Sequence, residues 1–162
     1  IYTVKDTLSL HDALPIFWIP FNPVVLRIPG MSPTDLARNY VDCSNAHNLE
    51  AVLELFAPSP FYHSDSLGTF LGREQIETMM RDFYARHPGI RWEVDAYEEV
   101  ESGLVAFRFR SISRDPKTGE TVERSGTERL RFDDRGKILS VEVAVDGDND
   151  DDEIPMETLR KS

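Results

Sequence analysis

Leu71-Gly72-Arg73-Glu74-Gln75-Ile76 is the stretch on which the reading of this chain turns. A Gly-Arg-Glu opens a helix here, in which Ile76, Met79, Met80 and Phe83 face inward, and His87-Pro88-Gly89 ends it abruptly. Just upstream, Phe61-Tyr62-His63-Ser64-Asp65 reads as a short strand. Two further helices precede that strand. Ser32-Pro33-Thr34-Asp35 starts the first, with Ser at the cap, Pro at the first position and an acid three residues on. Leu36, Tyr40, Val41 and either Cys43 or Ser44 trace its apolar face. Asn48 caps the second, in which Leu49, Val52, Leu53 and Phe56 recur at helical spacing until Pro58 and Pro60 stop it.

Downstream of Pro88 the period changes from helical to twofold. Trp92, Val94 and Ala96 alternate with Arg91, Glu93 and Asp95; Phe107 and Phe109 alternate with Arg108 and Arg110. Leu130 and Phe132 alternate with Arg129 and Arg131, and Val141, Val143 and Val145 with Ser140, Glu142 and Ala144. Turns near Glu101-Ser102-Gly103, Asp115 to Gly119 and Asp133 to Gly136 separate four strands of an antiparallel meander, one face apolar and the other an Arg/Glu lattice. Helices ahead of a one-sided sheet close their apolar stripes only against that sheet. The expected class is therefore α+β: a cone-shaped barrel with three N-terminal helices packed on a curved, mostly antiparallel sheet, leaving a pocket in the middle. Periodicity alone also admits a flatter two-layer sandwich.

The 162 residues fit one domain. A net charge of -11 argues against nucleic-acid binding, which needs Lys/Arg clustered on one face. Cys43 is the only cysteine, so no intrachain disulfide forms and an oxidising compartment has no support; the expected location is the cytoplasm. As a residue, Cys43 reads as a small buried hydrophobe, with a reactive thiol as the alternative. No apolar run reaches the roughly 18 residues of a membrane span.

Both ends differ from the body. In residues 1–30, Pro15, Pro20, Pro23 and Pro29 interrupt the apolar segment, and Thr7 to Ile16 resembles translated sequencing-adaptor read-through. This segment is expected to be a non-native or disordered extension, with Met31 the natural start. Residues 31–145 form the domain and 146–162 an acidic flexible tail. Within that tail, Asp146, Asp148, Asp150 and Glu157 fall at calcium-loop positions, but Asp151 stands where a sharp turn needs Gly and Pro155 interrupts the end. A solvated tail is the expectation. No phosphate-cradling glycine loop, paired-cysteine zinc motif or Gly-x-Ser-x-Gly elbow occurs, so no cofactor and no metal is expected.

Helix, helix, short strand, then Gly72-Arg73-Glu74-Gln75-Ile76: over residues of about 32–145 this order resembles the SnoaL-like branch of the nuclear transport factor 2-like superfamily, closest to its ketosteroid isomerase-like members. The resemblance implies a small hydrophobic ligand in the pocket and a homodimer built on the outer sheet face. There Arg108, Arg110, Arg129, Arg131, Glu93 and Glu142 offer charges of both signs. It further implies isomerase- or cyclase-type proton transfer on a small carbonyl compound, with a non-catalytic binding or dimerisation module as the alternative. The implied oxyanion hole falls on Tyr40 and Glu128. The implied base position is Ser64, and a one-residue shift brings in Asp65.

The residues themselves leave alternatives open. Glu128 shares strand parity with Leu130 and Phe132 and so points inward, or else pairs with Arg108, Arg110 or Arg124 at the rim. By side-chain character Tyr40 reads first as a core tyrosine, and Asp65, before Ser66-Leu67-Gly68, reads most simply as a turn residue. His63, an imidazole on the short strand, is a candidate general base; His47 begins the inter-helix turn and reads as structural. Phe56, Tyr62, Phe70 and Met80, with Phe83, Trp92, Phe107 and Phe109, are the bulky groups expected to line or partly fill the pocket.

Overall fold

A computed structural model describes residues 30–147. The expected extension and tail, including Asp148, Asp150 and Glu157, lie outside these residues, apart from Gly30, Asp146 and Gly147. The order is α1 (Pro33–Asn45), α2 (Leu49–Glu54), β1 (Phe56–Ser64), β2 (Gly68–Leu71), α3 (Gly72–Arg86), β3 (Arg91–Glu101), β4 (Leu104–Arg114), β5 (Thr121–Phe132) and β6 (Ile138–Val145).

The start of α1 is locally determined. The Ser32 side chain accepts the Asp35 amide at 3.2 Å while the Asp35 carboxylate accepts the Ser32 amide at 3.1 Å, so each satisfies an otherwise orphaned donor. Its buried face is Leu36, Ala37, Tyr40, Val41 and Ser44, leaving Cys43 half-buried. Burial raises the pKa of the Cys43 thiol, which disfavours the nucleophilic thiolate.

The second helix is shorter than its spacing predicts. Phe56 is the first residue of β1, not a helical residue, and Pro58 and Pro60 lie inside the strand. Tertiary pairing overrides the helical period here: the Leu55 carbonyl accepts the Ile138 amide at 2.8 Å, and Phe56 pairs with Ile138. The register then slips between Phe56 and Phe61, across both prolines, where a missing N–H interrupts a ladder at least cost.

All six strands form one open, curved sheet in the order β2-β1-β6-β5-β4-β3. This corrects the expected barrel, qualifies the placing of the helices and keeps the sheet mostly antiparallel. The sheet has free edges at β2 and β3, so it is not a closed barrel. Only two helices precede it, since α3 is the connection from β2 to the opposite edge at β3. And β1 pairs with β6 in parallel, so the sheet is mixed, although its other four pairings are antiparallel. Strand periodicity carries no information about partner direction, so the parallel pairing of β1 with β6 was not legible in it. The β2 strand, which the sequence reading did not anticipate, follows the expected turn at Asp65 to Gly68 and pairs Tyr62 with Phe70 and His63 with Thr69.

In β3 the alternation breaks. Val94 opposes Phe109 but Tyr97, not Ala96, opposes Phe107, so a bulge at Asp95-Ala96 turns Ala96 to solvent and Tyr97 inward. On the outer face many of the expected lattice charges pair within the chain: Arg110 with Glu93 at 2.6 Å, Arg131 with Glu101 at 2.7 Å, and Arg108 with Asp146. Such exposed pairs add little stability each. Among the described residues no helix is long and apolar enough to cross a membrane.

Candidate functional site

Strand register puts one carboxyl at the middle of the apolar face. Ser64 pairs with Val143, Val143 with Glu128, Glu128 with Phe107 and Phe107 with Tyr97, so Glu128 has only apolar cross-strand neighbours. Over this row α1 lays Tyr40 and Ser44, and α3 lays Met79, Met80, Phe83 and Tyr84. Between the layers remains a cavity of about 100 Å³. Val41, Tyr62, Ser64, Leu67, Trp92, Phe107, Phe109, Ser111, Val143 and Val145 complete its walls, and the exposed Ser66 and Arg124 mark its mouth. A dry apolar cavity of about 150 Å³ holds benzene, so this space suits a small ring rather than a steroid-sized skeleton.

Local devices hold the walls. The Asn45 side chain accepts the Trp92 amide at 2.7 Å and donates to the Trp92 carbonyl at 2.8 Å, acting as a strand partner for the start of β3. His47, the only described non-glycine residue at positive φ (55°), reaches the Ile90 carbonyl at 2.6 Å and lies against the Tyr84 ring. Tyr84 in turn donates to the Ser44 carbonyl at 3.2 Å. Gly126 stands opposite Phe109, and a β-carbon there would come within 2.6 Å of that ring and 2.4 Å of the Ala144 carbonyl oxygen. The missing side chain is what lets Phe109 lie over the β5 backbone.

Glu128 is 6% exposed, and its Oε1 has no hydrogen-bond partner. Burial pushes its pKa up to about 7, with the nearby Tyr40 hydroxyl pulling it back in part. The Tyr40 hydroxyl is close enough to favour the ionised form, yet no bond of ordinary geometry closes onto Oε1. The tyrosines answer in the opposite sense. Tyr40 and Tyr62 are held well above the usual phenol range, by burial first and the Glu128 carboxyl second. Burial also pushes Tyr84 up to about 12. At neutral pH the cavity thus contains phenol donors that stay protonated and one carboxyl divided between its two forms.

Tyr40 and Glu128 therefore share one cavity with Tyr62, Met80, Phe83, Trp92, Phe107 and Phe109. The other expected site residues are elsewhere. Ser64 is 2% exposed and faces inward, so Asp65, one residue on without a bulge, faces solvent. His63 is turned out by the same alternation, with Nδ1 at 2.9 Å from Thr69 Oγ1 and Nε2 at 3.3 Å from Asp65. Both residues are removed from the candidate cavity chemistry by strand parity. Phe56 is fully buried beneath the cavity, edge-on to Tyr40, and Phe70 lines a separate surface groove with Thr69 and Glu74.

Sequence reasoning missed Tyr84 and Ser111 as lining residues, although both carried a signal. Tyr84 follows Met80 by four residues on α3, and Ser111 continues the parity of Phe107 and Phe109. Among the described residues no three of His, Cys, Asp and Glu cluster.

A mixed α+β sheet wrapped over a cavity in this way is the architecture of nuclear transport factor 2-like (NTF2-like) proteins. Residues 37–141 match the SnoaL-like domain, and the chain belongs to that family. An NTF2-like protein of unknown function from Burkholderia pseudomallei K96243 is 18% identical, with a TM-score of 0.64 over 72% of this chain and 92% of that one. SalBIII, an epoxide hydrolase/cyclase-like enzyme in pyran ring formation in the polyether salinomycin, is 15% identical, with a TM-score of 0.63 over 70% of this chain and 89% of that one. TerC, co-crystallised with polyporic acid, is 18% identical, with a TM-score of 0.63 over 71% and 92%. No curated protein matches the chain in sequence.

Proposed function

We propose that the cavity binds a small, largely apolar carbonyl compound and that Tyr40 and Glu128 act on it by cofactor-independent proton transfer, of the isomerase or cyclase type. One observation carries this reading: a buried carboxyl with an unpartnered oxygen, poised near neutrality beside a phenol, inside an apolar cavity. Unsatisfied buried acceptors are rare and costly, and a general acid/base works best with a pKa near the operating pH. That a cyclase-like enzyme and a protein co-crystallised with polyporic acid share the fold is consistent with it.

With Asp65 outside the cavity, both proton duties fall to Glu128. Its carboxylate takes a proton from the α-carbon of a β,γ-unsaturated ketone. The C–H electron pair forms the carbon–carbon double bond of a dienolate as the carbonyl π pair moves to oxygen. Collapse of that dienolate through the old β,γ double bond takes up a proton at the γ-carbon to leave an α,β double bond. The enolate oxygen accepts a hydrogen bond from the Tyr40 O–H, and the protonated Glu128 returns the proton to the γ-carbon, regenerating both groups. The test is conversion of cyclohex-3-enone to cyclohex-2-enone, followed by absorbance, in the parent, Tyr40→Phe and Glu128→Gln. Loss of turnover in both variants supports the enzyme.

Ser64 at the implied base position favours a second reading, a non-catalytic binding domain. Ligand binding without turnover in all three proteins selects it. A homodimer on the outer sheet face belongs to either reading. Arg129 and Glu142 stand opposite each other there and make no ion pair among the described residues, leaving charges of both signs for a two-fold partner. A sedimenting monomer at tens of micromolar sinks the dimer.

A further inference from the structure

We propose that Arg124 is an anion-recognition residue at the cavity mouth, so that the ligand is a small apolar carbonyl compound that also carries a carboxylate. This deepens the binding reading above and rests on it.

The argument is one of placement. Arg124, Gly126 and Glu128 share the inner face of β5 by strand parity, and both Arg124 and Glu128 line the cavity. Four residues separate them, roughly 13 Å of strand at about 3.3 Å per residue, part of which the long arginine side chain spans. Between them Gly126 presents no side chain, and the Phe109 ring covers the gap. The inner face of β5 is therefore polar at Glu128, apolar and flat in the middle, and cationic at the mouth. A compact ring with oxygen functions at opposite ends matches that order.

Arg124 is also free to act. It makes no ion pair among the described residues, whereas its neighbours are engaged: Arg110 with Glu93 and Glu123 on the outer face, and Arg86 with Asp82. Among the described residues it is the only Lys or Arg in the lining. The nearby His87 does not compete, since burial, then Arg86 and Arg124, lower its pKa and hold it neutral. Guanidinium binds carboxylate through two parallel N–H···O bonds, stronger than those between neutral groups.

Titration calorimetry with two probes tests this: cyclohexanone, and 4-oxocyclohexanecarboxylate, which adds the anion opposite the carbonyl. The parent should bind the carboxylate at least about tenfold more tightly, as one well-formed charge-assisted contact allows. Added salt should narrow the difference. Arg124→Gln should remove most of it and Arg124→Lys should retain part. Arg135→Gln deletes the same charge from the exposed turn after β5 and should preserve the difference. If the parent binds cyclohexanone but gains nothing from the carboxylate, or if Arg124→Gln weakens both probes equally, the inference is overturned and the cavity reading survives. If the parent binds neither probe, both fall.

Discussion

Asn45 completes both backbone hydrogen bonds of Trp92, across 47 residues of chain, with one bond at 2.7 Å and the other at 2.8 Å. A side-chain amide on the last residue of α1 thereby substitutes for a strand at the free edge of β3. It fixes the helix that carries Tyr40 against the strand that carries Trp92, and both residues line the cavity. Asn45→Ala should cost about 1–3 kcal/mol, because two partly buried backbone groups lose their partners. Asn45→Asp keeps only the acceptor and should also weaken the contact. Urea unfolding measures both; a cost for Asn45→Ala under about 0.5 kcal/mol contradicts the anchoring role.

Gly126→Ala should destabilise the fold by about 1–3 kcal/mol, since overpacking forces Phe109 off its seat. In a Phe109→Ala background the penalty should shrink without vanishing, because the Ala144 carbonyl still opposes the new methyl. A penalty unaffected by Phe109→Ala means that the ring was never the obstacle.

Glu128 makes stability fall as pH rises. Its ordinary value is 4.5 and its folded value about 7. Below 4.5 both states hold the proton and the full stability is present; between 4.5 and 7 the unfolded chain releases it while the folded chain keeps it. The loss approaches about 1.4 kcal/mol per pH unit, on the order of 3 kcal/mol in all, and levels off above the folded value. Glu128→Gln should lack this slope. A parent-minus-variant stability difference that stays flat from about pH 4.5 to 8 makes Glu128 an ordinary carboxylate.

Ser64→Asp and His63→Ala separate position from residue type. Ser64 faces the cavity, so an aspartate there frees Glu128 to act as donor and should raise enone turnover by at least about tenfold, at a stability cost of a few kcal/mol for the buried acid. His63 is half-buried on the outer face and, among the described residues, pairs with Thr69 and Asp65, so His63→Ala should leave turnover unaltered and stability within about 0.5 kcal/mol. Turnover that follows His63 returns the base to the outer face.

Much of the architecture is local and so was legible in the chain. The Ser32-Asp35 capping box, the Asn48 cap and the helical spacing of Ile76, Met79 and Met80 are set by residues within a turn or two of one another. The parity that turns Glu128 inward with Leu130 and Phe132 holds within a single strand. These patterns sufficed for the α+β class, for the two helices ahead of β1 and for the inward turn of Glu128, whereas Tyr40 and Glu128 became a pair only through the family resemblance.

What only the tertiary structure decided depends on partners distant in sequence. Phe56 leaves its helical period because Leu55 and Phe56 are captured by Ile138. Tyr97 replaces Ala96 on the inner face because β3 bulges against β4. Asp65 and His63 lose the cavity because β1 stays in register with β6 and β2 through Ser64, a pairing that no residue in β1 announces. The size of the cavity was equally out of reach, since Gly126 and Phe109, 17 residues apart, set it by a contact that exists only once β4 and β5 are paired. Periodicity reports which way a side chain faces relative to its neighbours in the chain; what it faces is settled by which strands and helices come together.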